Sequence, residues 1–234
     1  MTDTELICGF HVKKIPDKPD YLPISQEDFE QQTIAAWCGN GFEENRVAAV
    51  FRGGPREWDA LIHDESWQVR AALACHSSER HQLMLTGDAE PIVRRKLAVY
   101  GTDKVRSALL DRGESDPEIL EEIAKYGSTT LRHRLVDVVW NRPLVLHSIA
   151  KYLPTSAIDK LLTHPNPEVH IDAAMHGNRA QCMQVLQGEY PSHNVTLVFM
   201  RDALIDRLKE LDKVAQAVNF GHTKTRTYEM ERTT

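Results

Sequence analysis

Two ladders of apolar residues run through this 234-residue chain with the same period, and no other feature of the sequence restricts its fold so tightly. Val47, Val69, Val93, Ile119, Leu146 and Val169 form the first, at spacings of 22, 24, 26, 27 and 23 residues. Leu61, Leu83, Leu109, Leu135, Leu161 and Leu186 form the second, at spacings of 22, 26, 26, 26 and 25. A period near 25 residues marks a repeat array, in which each unit is too small to bury its own apolar face and gains a core by stacking on its neighbours. The punctuation keeps step: Gly53-Gly54-Pro55, Gly101, Asp116-Pro117, Gly127-Ser128, Pro143, Pro165-Asn166-Pro167 and Gly177-Asn178. Proline at the first helical position and glycine just past the last are placements that helices favour. The pattern predicts six short helix pairs over about 43–63, 64–87, 88–113, 114–141, 142–164 and 165–188.

The flanks read differently. Pro16, Pro19 and Pro23 exclude a continuous helix at the start and suggest an extended arm. Residues 1–42 hold three Lys/Arg and seven Asp/Glu, about two thirds of the net charge of −6. Within them, Ser25 with acids at Glu27 and Asp28 predicts a capped helix from Gln26 to about Trp37, ended by Gly39-Asn40-Gly41. After the repeats, Val198, Leu204, Ile205, Leu208, Leu211, Ala215 and Val218 recur at helical spacing, so 189–220 is expected to form a long helix capping the stack. Self-association through that helix is the sharper alternative. Residues 221–234 show no periodic apolar face and are expected to be disordered.

Composition narrows the function classes. A hydrophobic content of 41% and a charged content of 26% suit a folded soluble protein. No apolar run approaches the ~20 residues of a membrane span, and the start of the chain lacks the basic and apolar regions of a signal peptide. The four cysteines, Cys8, Cys38, Cys75 and Cys182, are scattered and contain no Cys-x-x-Cys pair, which suggests free thiols and a cytoplasmic address.

Two segments nearly repeat each other: Asp64-Glu-Ser-Trp-Gln-Val69-Arg70-Ala-Ala-Leu73-Ala74 and Asp88-Ala-Glu-Pro-Ile-Val93-Arg94-Arg-Lys-Leu97-Ala98. Looser copies begin at Asp116-Pro-Glu-Ile119 and Asn166-Pro-Glu-Val169. This unit resembles HEAT-like repeats, and its short period is most similar to the leucine-rich-variant subclass of α-solenoids. The resemblance covers about residues 43–188. It implies an all-α, right-handed α-solenoid of about six short helix pairs, and a partner bound along one face. It brings no catalytic residue and no cofactor. An N-terminal iron–sulfur cluster, known in some of these proteins, is not inferred, because only Cys8 and Cys38 lie in that region.

The candidate binding residues are Trp67, Arg70, Arg94, Arg95, Lys104 and Arg106. Residues 88–113 carry six basic and four acidic residues, a local excess of positive charge in an acidic protein. They form either a ridge for an acidic or phosphate-bearing ligand or, for Arg70 and Arg94, a ladder of ion pairs with Asp64, Asp88 or a neighbouring repeat. Tyr100, Tyr126 and Tyr152, spaced by 26, are either packing between repeats or, if exposed, an anchor line for a partner. His164, His170 and His176 are spaced by six, which does not keep them on one helical face, so no metal site is expected. No Gly-x-Ser-x-Gly, His-Glu-x-x-His, phosphate-loop or dinucleotide fingerprint occurs.

The reading that follows is a non-enzymatic protein-binding solenoid, an adaptor or inhibitor. The alternative from another class is a nucleic-acid-binding HEAT-like protein resembling the alkylpurine DNA glycosylases, which predicts a continuous basic face; the −6 charge counts against it. A weaker alternative is an acidic nucleic-acid mimic that blocks a DNA-binding protein.

Overall fold

The computed structural model describes residues 4–20, 22–188 and 195–230, with side chains of the last helix described over 198–216. Among the described residues are one two-stranded sheet and fourteen α-helices. The chain divides into two units, Met1–Leu131 and Arg132–Thr234. No helix among the described residues is long and apolar enough to cross a membrane.

The first unit begins with a hairpin of β1 (Thr4–Ile7) and β2 (Phe10–Lys13), paired antiparallel with Ile7 opposite Phe10. Cys8 and Gly9 join the strands with φ of +51° and +86°, the two positive angles that a two-residue hairpin turn of matching twist requires. Helix α1 (Gln26–Cys38) follows, with Ser25 Oγ accepting from the Asp28 N–H at 3.0 Å, as the Ser-x-x-Asp pattern predicts.

Three helix pairs and the first helix of a fourth come next: α2 (Glu43–Arg52) with α3 (Pro55–Leu61), α4 (Trp67–His76) with α5 (Glu79–Met84), α6 (Pro91–Tyr100) with α7 (Asp103–Asp111), and α8 (Pro117–Tyr126). Each first helix packs on the next first helix, α2 on α4, α4 on α6 and α6 on α8. Stacking of this kind buries Val69, Leu73, Val93, Leu97, Ile119 and Ile123 almost completely. Helix α9 (Thr129–Val138) spans the division between the units.

The second unit repeats the scheme with α10 (Pro143–Ile149), α11 (Thr155–Leu161), α12 (Pro167–Met175) and α13 (Arg179–Gln187). Prolines open α3, α6, α8, α10 and α12, where a missing N–H costs nothing. Helix α14 (Val195–Met230) lies against α12 and α13 and buries Leu204.

All six predicted pairs are present, and every first-helix anchor is buried. The second ladder needs two corrections. Leu83 is half-exposed, and Leu85 takes the buried place at 4% exposure. Helix α5 has only six residues and passes into a 3-10 turn over Leu85–Gly87, which advances faster per residue and rotates the inward position. Leu186 is likewise half-exposed, with Val185 buried in its stead.

The ends differ from the expectation too. The segment read as an extended arm contains the hairpin, which docks on α2: Val12 is fully buried, and the rings of Phe10 and Phe51 lie 5.8 Å apart. The long helix continues past 220 through Met230, where a disordered tail was expected; 231–234 lie outside the described residues.

Candidate functional site

The turns that open successive first helices are built alike. Arg46 on α2 donates from Nε and Nη2 to the two carboxylate oxygens of Asp64 at 2.7 and 3.0 Å, and from Nη1 to the carbonyls of Asn40 and Gly41. Arg70 on α4 repeats this with Asp88 at 2.6 and 3.1 Å, and with the carbonyls of Asp64 and Glu65. Arg94 on α6 does so with Glu114 at 2.7 Å and the carbonyls of Asp88 and Ala89. Each acid then accepts a backbone N–H two residues on, from Ser66, Glu90 and Asp116.

One guanidinium therefore closes its own helix's opening turn and holds the acid of the next turn. The fork geometry of arginine suits the task, because five donors in one plane can serve carbonyls and a carboxylate together. The hydrogen-bonded acids raise the pKa values of all three arginines. Burial opposes the charge of Glu114, but Arg94 and the N–H groups of Asp116 and Ser115 outweigh it and hold the carboxyl below its ordinary value.

Arg70 and Arg94 thus stand in an ion-pair ladder, each bound to the acid that opens the following pair. The other candidate cations also have carboxylate partners. Arg95 on α6 meets Glu118 at 2.8 Å and Glu122 at 3.0 Å on α8. Lys104 on α7 meets Glu79 on α5 at 3.0 Å. Arg106 is 7% exposed, donates to the carbonyls of Ala98 and Val99, and meets Asp103 at 3.3 Å. Trp67 is exposed, but it opens α4, whereas the other exposed aromatics of the first helices close theirs. The structure therefore does not gather the six candidates into one patch.

Of the two readings open for the tyrosine row, exposure holds for Tyr100 and Tyr126. Tyr100 and Tyr126, the last residues of α6 and α8, are 42% and 44% exposed. Lys96 Nζ lies 5.6 Å from the Tyr100 ring centre and Lys125 Nζ lies 4.8 Å from that of Tyr126, both within cation–π range. The spacing of 26 was visible in the sequence, but it does not tell an inward from an outward aromatic. In the second unit Tyr152 is half-buried, with Lys151 Nζ 5.0 Å from its ring.

Two shallow grooves of about 380 and 410 Å³ flank Gly87 and Arg112 in the first unit. The Arg112 guanidinium lies on the Gly87 backbone: a Cβ there would meet Nη1 at 2.7 Å. The remaining charged lining is largely ladder, Asp64, Arg70, Asp88, Arg94 and Glu114, so the acids and cations nearly cancel.

In the second unit the His147 ring meets Asp172 at 2.9 Å beside a small cavity lined by Leu144, Val169 and Met200. Burial pushes the Asp172 carboxyl up and the His176 imidazole down. No group of three or more His, Cys, Asp or Glu is placed to hold a metal ion among the described residues. His164 is engaged at both nitrogens, accepting from the Asn166 N–H at 3.0 Å and bonding the Trp140 carbonyl at 2.9 Å.

Among solved structures, the chain is similar to a leucine-rich repeat variant described as having a novel repetitive protein structural motif, with a TM-score of 0.56 and 18% identity. The match covers 81% of this chain and 78% of that one, and it shows the fold, an all-α helical repeat. No protein-family model matches the sequence, and no curated protein matches it.

Proposed function

We propose that the protein is a non-enzymatic protein-binding module, an adaptor or inhibitor, whose contact surface is the first-helix face of the first unit at the C-terminal ends of α6 and α8. The observation that carries this reading is the pair Tyr100 and Tyr126, exposed at equivalent positions of successive repeats, each beside a lysine ammonium. Tyrosine contributes large contact area for little lost side-chain freedom, and aromatic residues are concentrated where interfaces hold most of their binding energy. Repetition along a stack extends such anchors into a line, which suits an elongated partner surface.

Arg95, also on α6, is held by Glu118 and Glu122 of α8. Lys104 and Arg106 belong to second helices and do not belong to this contact. A nucleic-acid ligand is less well supported, because phosphate binding draws on cations that release counterions, and Arg70, Arg94, Arg95, Lys104 and Arg106 already neutralise acids.

The test is site-specific photo-crosslinking in the native cell. A photoreactive phenylalanine at position 100 or 126 is expected to trap the same protein, and the same probe at Arg80, exposed on α5, is expected not to. Identical crosslinks from all three positions, or none from 100 and 126, defeat the reading. Retardation of duplex DNA at low salt, lost on charge reversal of Arg95, would support the nucleic-acid alternative instead.

A further inference from the structure

Three residues past the ladder anchor, α2, α4 and α10 carry Val50, Ala72 and Ile149, each fully buried. In α6 and α8 the same position is polar and engaged: Lys96 Nζ donates to the Cys8 carbonyl at 3.0 Å, and Glu122 meets Arg95 at 3.0 Å. In α12 it is Asp172, 9% exposed, a carboxylate where three other repeats place an apolar core residue. The His147 ring meets Asp172 Oδ2 from Nδ1 at 2.9 Å. Among the described residues no lysine or arginine pairs with Asp172, and its Oδ1 accepts no hydrogen bond. Nor is that oxygen sealed in, since Arg207 Nε alone is enclosed without a partner among the described residues. Burial pushes the Asp172 carboxyl up, as it does for a carboxylate short of compensating charge. Asp172 lines a cavity of about 180 Å³ among α10, α12 and α14, walled by Pro143, Leu144, Val169 and Met200. Glu168, exposed, adds a second carboxylate to the lining.

We propose that this cavity receives one lysine side chain of a partner polypeptide, its ammonium against Asp172 Oδ1 and its methylenes along Pro143, Leu144, Val169 and Met200. Size, charge and geometry each select this occupant. The volume lies below the ~300 Å³ at which pockets for whole small molecules begin, so it suits a single side chain. The walls are apolar and, apart from the His147 ring, the charged lining is two carboxylates. That combination matches a long aliphatic stem ending in a cation. Arginine fits less well, because its planar fork is best satisfied by both oxygens of a carboxylate and His147 already holds Oδ2. An ammonium is a point charge that one oxygen can hold. His147 is thus a positioning residue: it fixes the rotation of the carboxylate and sets which cation the cavity prefers. A free amine would fill the cavity but leave Leu144 uncovered. At 87% exposure, Leu144 offers apolar surface to the residues that flank a lysine in a chain.

The experiment labels the methionine methyl groups of the full-length protein with carbon-13, titrates it with acetyl-Ala-Lys-Ala-amide, and follows the Met200 methyl signal by NMR, assigned by its loss in Met200→Leu. The expected result is a saturable shift of that signal. The norleucine peptide keeps the stem without the ammonium and is expected to bind at least about tenfold more weakly, the fold-change of a hydrogen bond to a charged group. The arginine peptide and free n-butylammonium are also expected to bind more weakly than the lysine peptide. Asp172→Asn, which preserves shape, is expected to abolish the preference for lysine over norleucine. His147→Ala frees Oδ2 and is expected to narrow the preference for lysine over arginine. A Met200 signal unmoved by the lysine peptide, or moved equally by the norleucine peptide, overturns the proposal. Equally tight binding of n-butylammonium overturns the polypeptide source, and equally tight binding of the arginine peptide overturns the role given to Oδ1. The comparison of four ligands on the wild type stands whether or not the Asp172 variant folds. It reads a cavity of the second unit, so its outcome is separate from the crosslinks at positions 100 and 126 of the first.

Discussion

In the first three pairs the turn opening each first helix is held by an arginine; in the sixth it is held by two histidines. Arg46, Arg70 and Arg94 each give Nη1 to the carbonyl six residues back. His170 gives Nε2 to the carbonyl of His164, also six residues back. Asp64, Asp88 and Glu114 accept the N–H two residues on, and His164 does the same through Nδ1 from Asn166. Acid and histidine fill the same place in the bookkeeping of backbone hydrogen bonds, since every buried turn carbonyl and amide needs a partner and several chemistries can supply it.

The two differ in what they add. An arginine–carboxylate clamp bonds one repeat to the next through a charge-assisted fork, with Asp88 5% and Glu114 3% exposed. The histidine clamp requires no net charge; it demands an unprotonated Nδ1 at His164, because that atom faces an N–H donor.

The largest effects belong to the fully buried anchors inside each region. Leu97→Ala and Leu161→Ala, both at fully buried anchors, should each cost about 2–5 kcal/mol in urea denaturation. A small loss at Leu161 alone would mean that the second unit is not stacked by the same rule. Next, Arg70→Ala strands a buried Asp88 carboxylate and should cost about 3 kcal/mol, whereas His170→Ala removes hydrogen bonds of a neutral clamp at about 1 kcal/mol. The opposite order would show that the charge of the arginine ladder is not what strengthens it.

Acid should separate the regions further. The folded-state pKa of Glu114 lies below its ordinary value, so its contribution is fully present above the ordinary carboxylate range and fades as pH falls through the depressed one. Glu114→Gln should therefore flatten the acid branch of a stability-against-pH curve below about pH 4.5. An unchanged acid branch would remove Glu114 from the clamp. The smallest effect is expected at Lys104→Ala, whose partner Glu79 is solvent-exposed: thermal unfolding should be unmoved within error. A clear drop there would show that the exposed second-helix pairs contribute more than the geometry implies.

The aromatic rows mark how far sequence reasoning reached. Tyr100 and Tyr126 are legible as a row spaced by 26, but the spacing leaves packing and exposure equally open, and only the stack shows them facing out. Arg70 and Arg94 were legible as ladder candidates because an acid recurs with each base. Asp88 and a neighbouring repeat stood among the possible partners, but the pattern does not select the acid each arginine takes, which opens the next repeat 18 and 20 residues on, nor does it name Glu114. The hairpin escaped notice because two four-residue strands around Cys8-Gly9 give too short an alternation to register against three nearby prolines.

The period, the six pairs and the first-helix core are already written in the chain, since they depend on local helix geometry: which residues recur at 3.6 per turn, and where proline and glycine interrupt them. Which acid each arginine holds, which tyrosines meet solvent, and that a hairpin docks Val12 and Phe10 on α2 are settled only by the folded stack. Each of these depends on how one repeat is rotated and set against the next, and that is the outcome of side-chain packing across the stack, which no local pattern encodes.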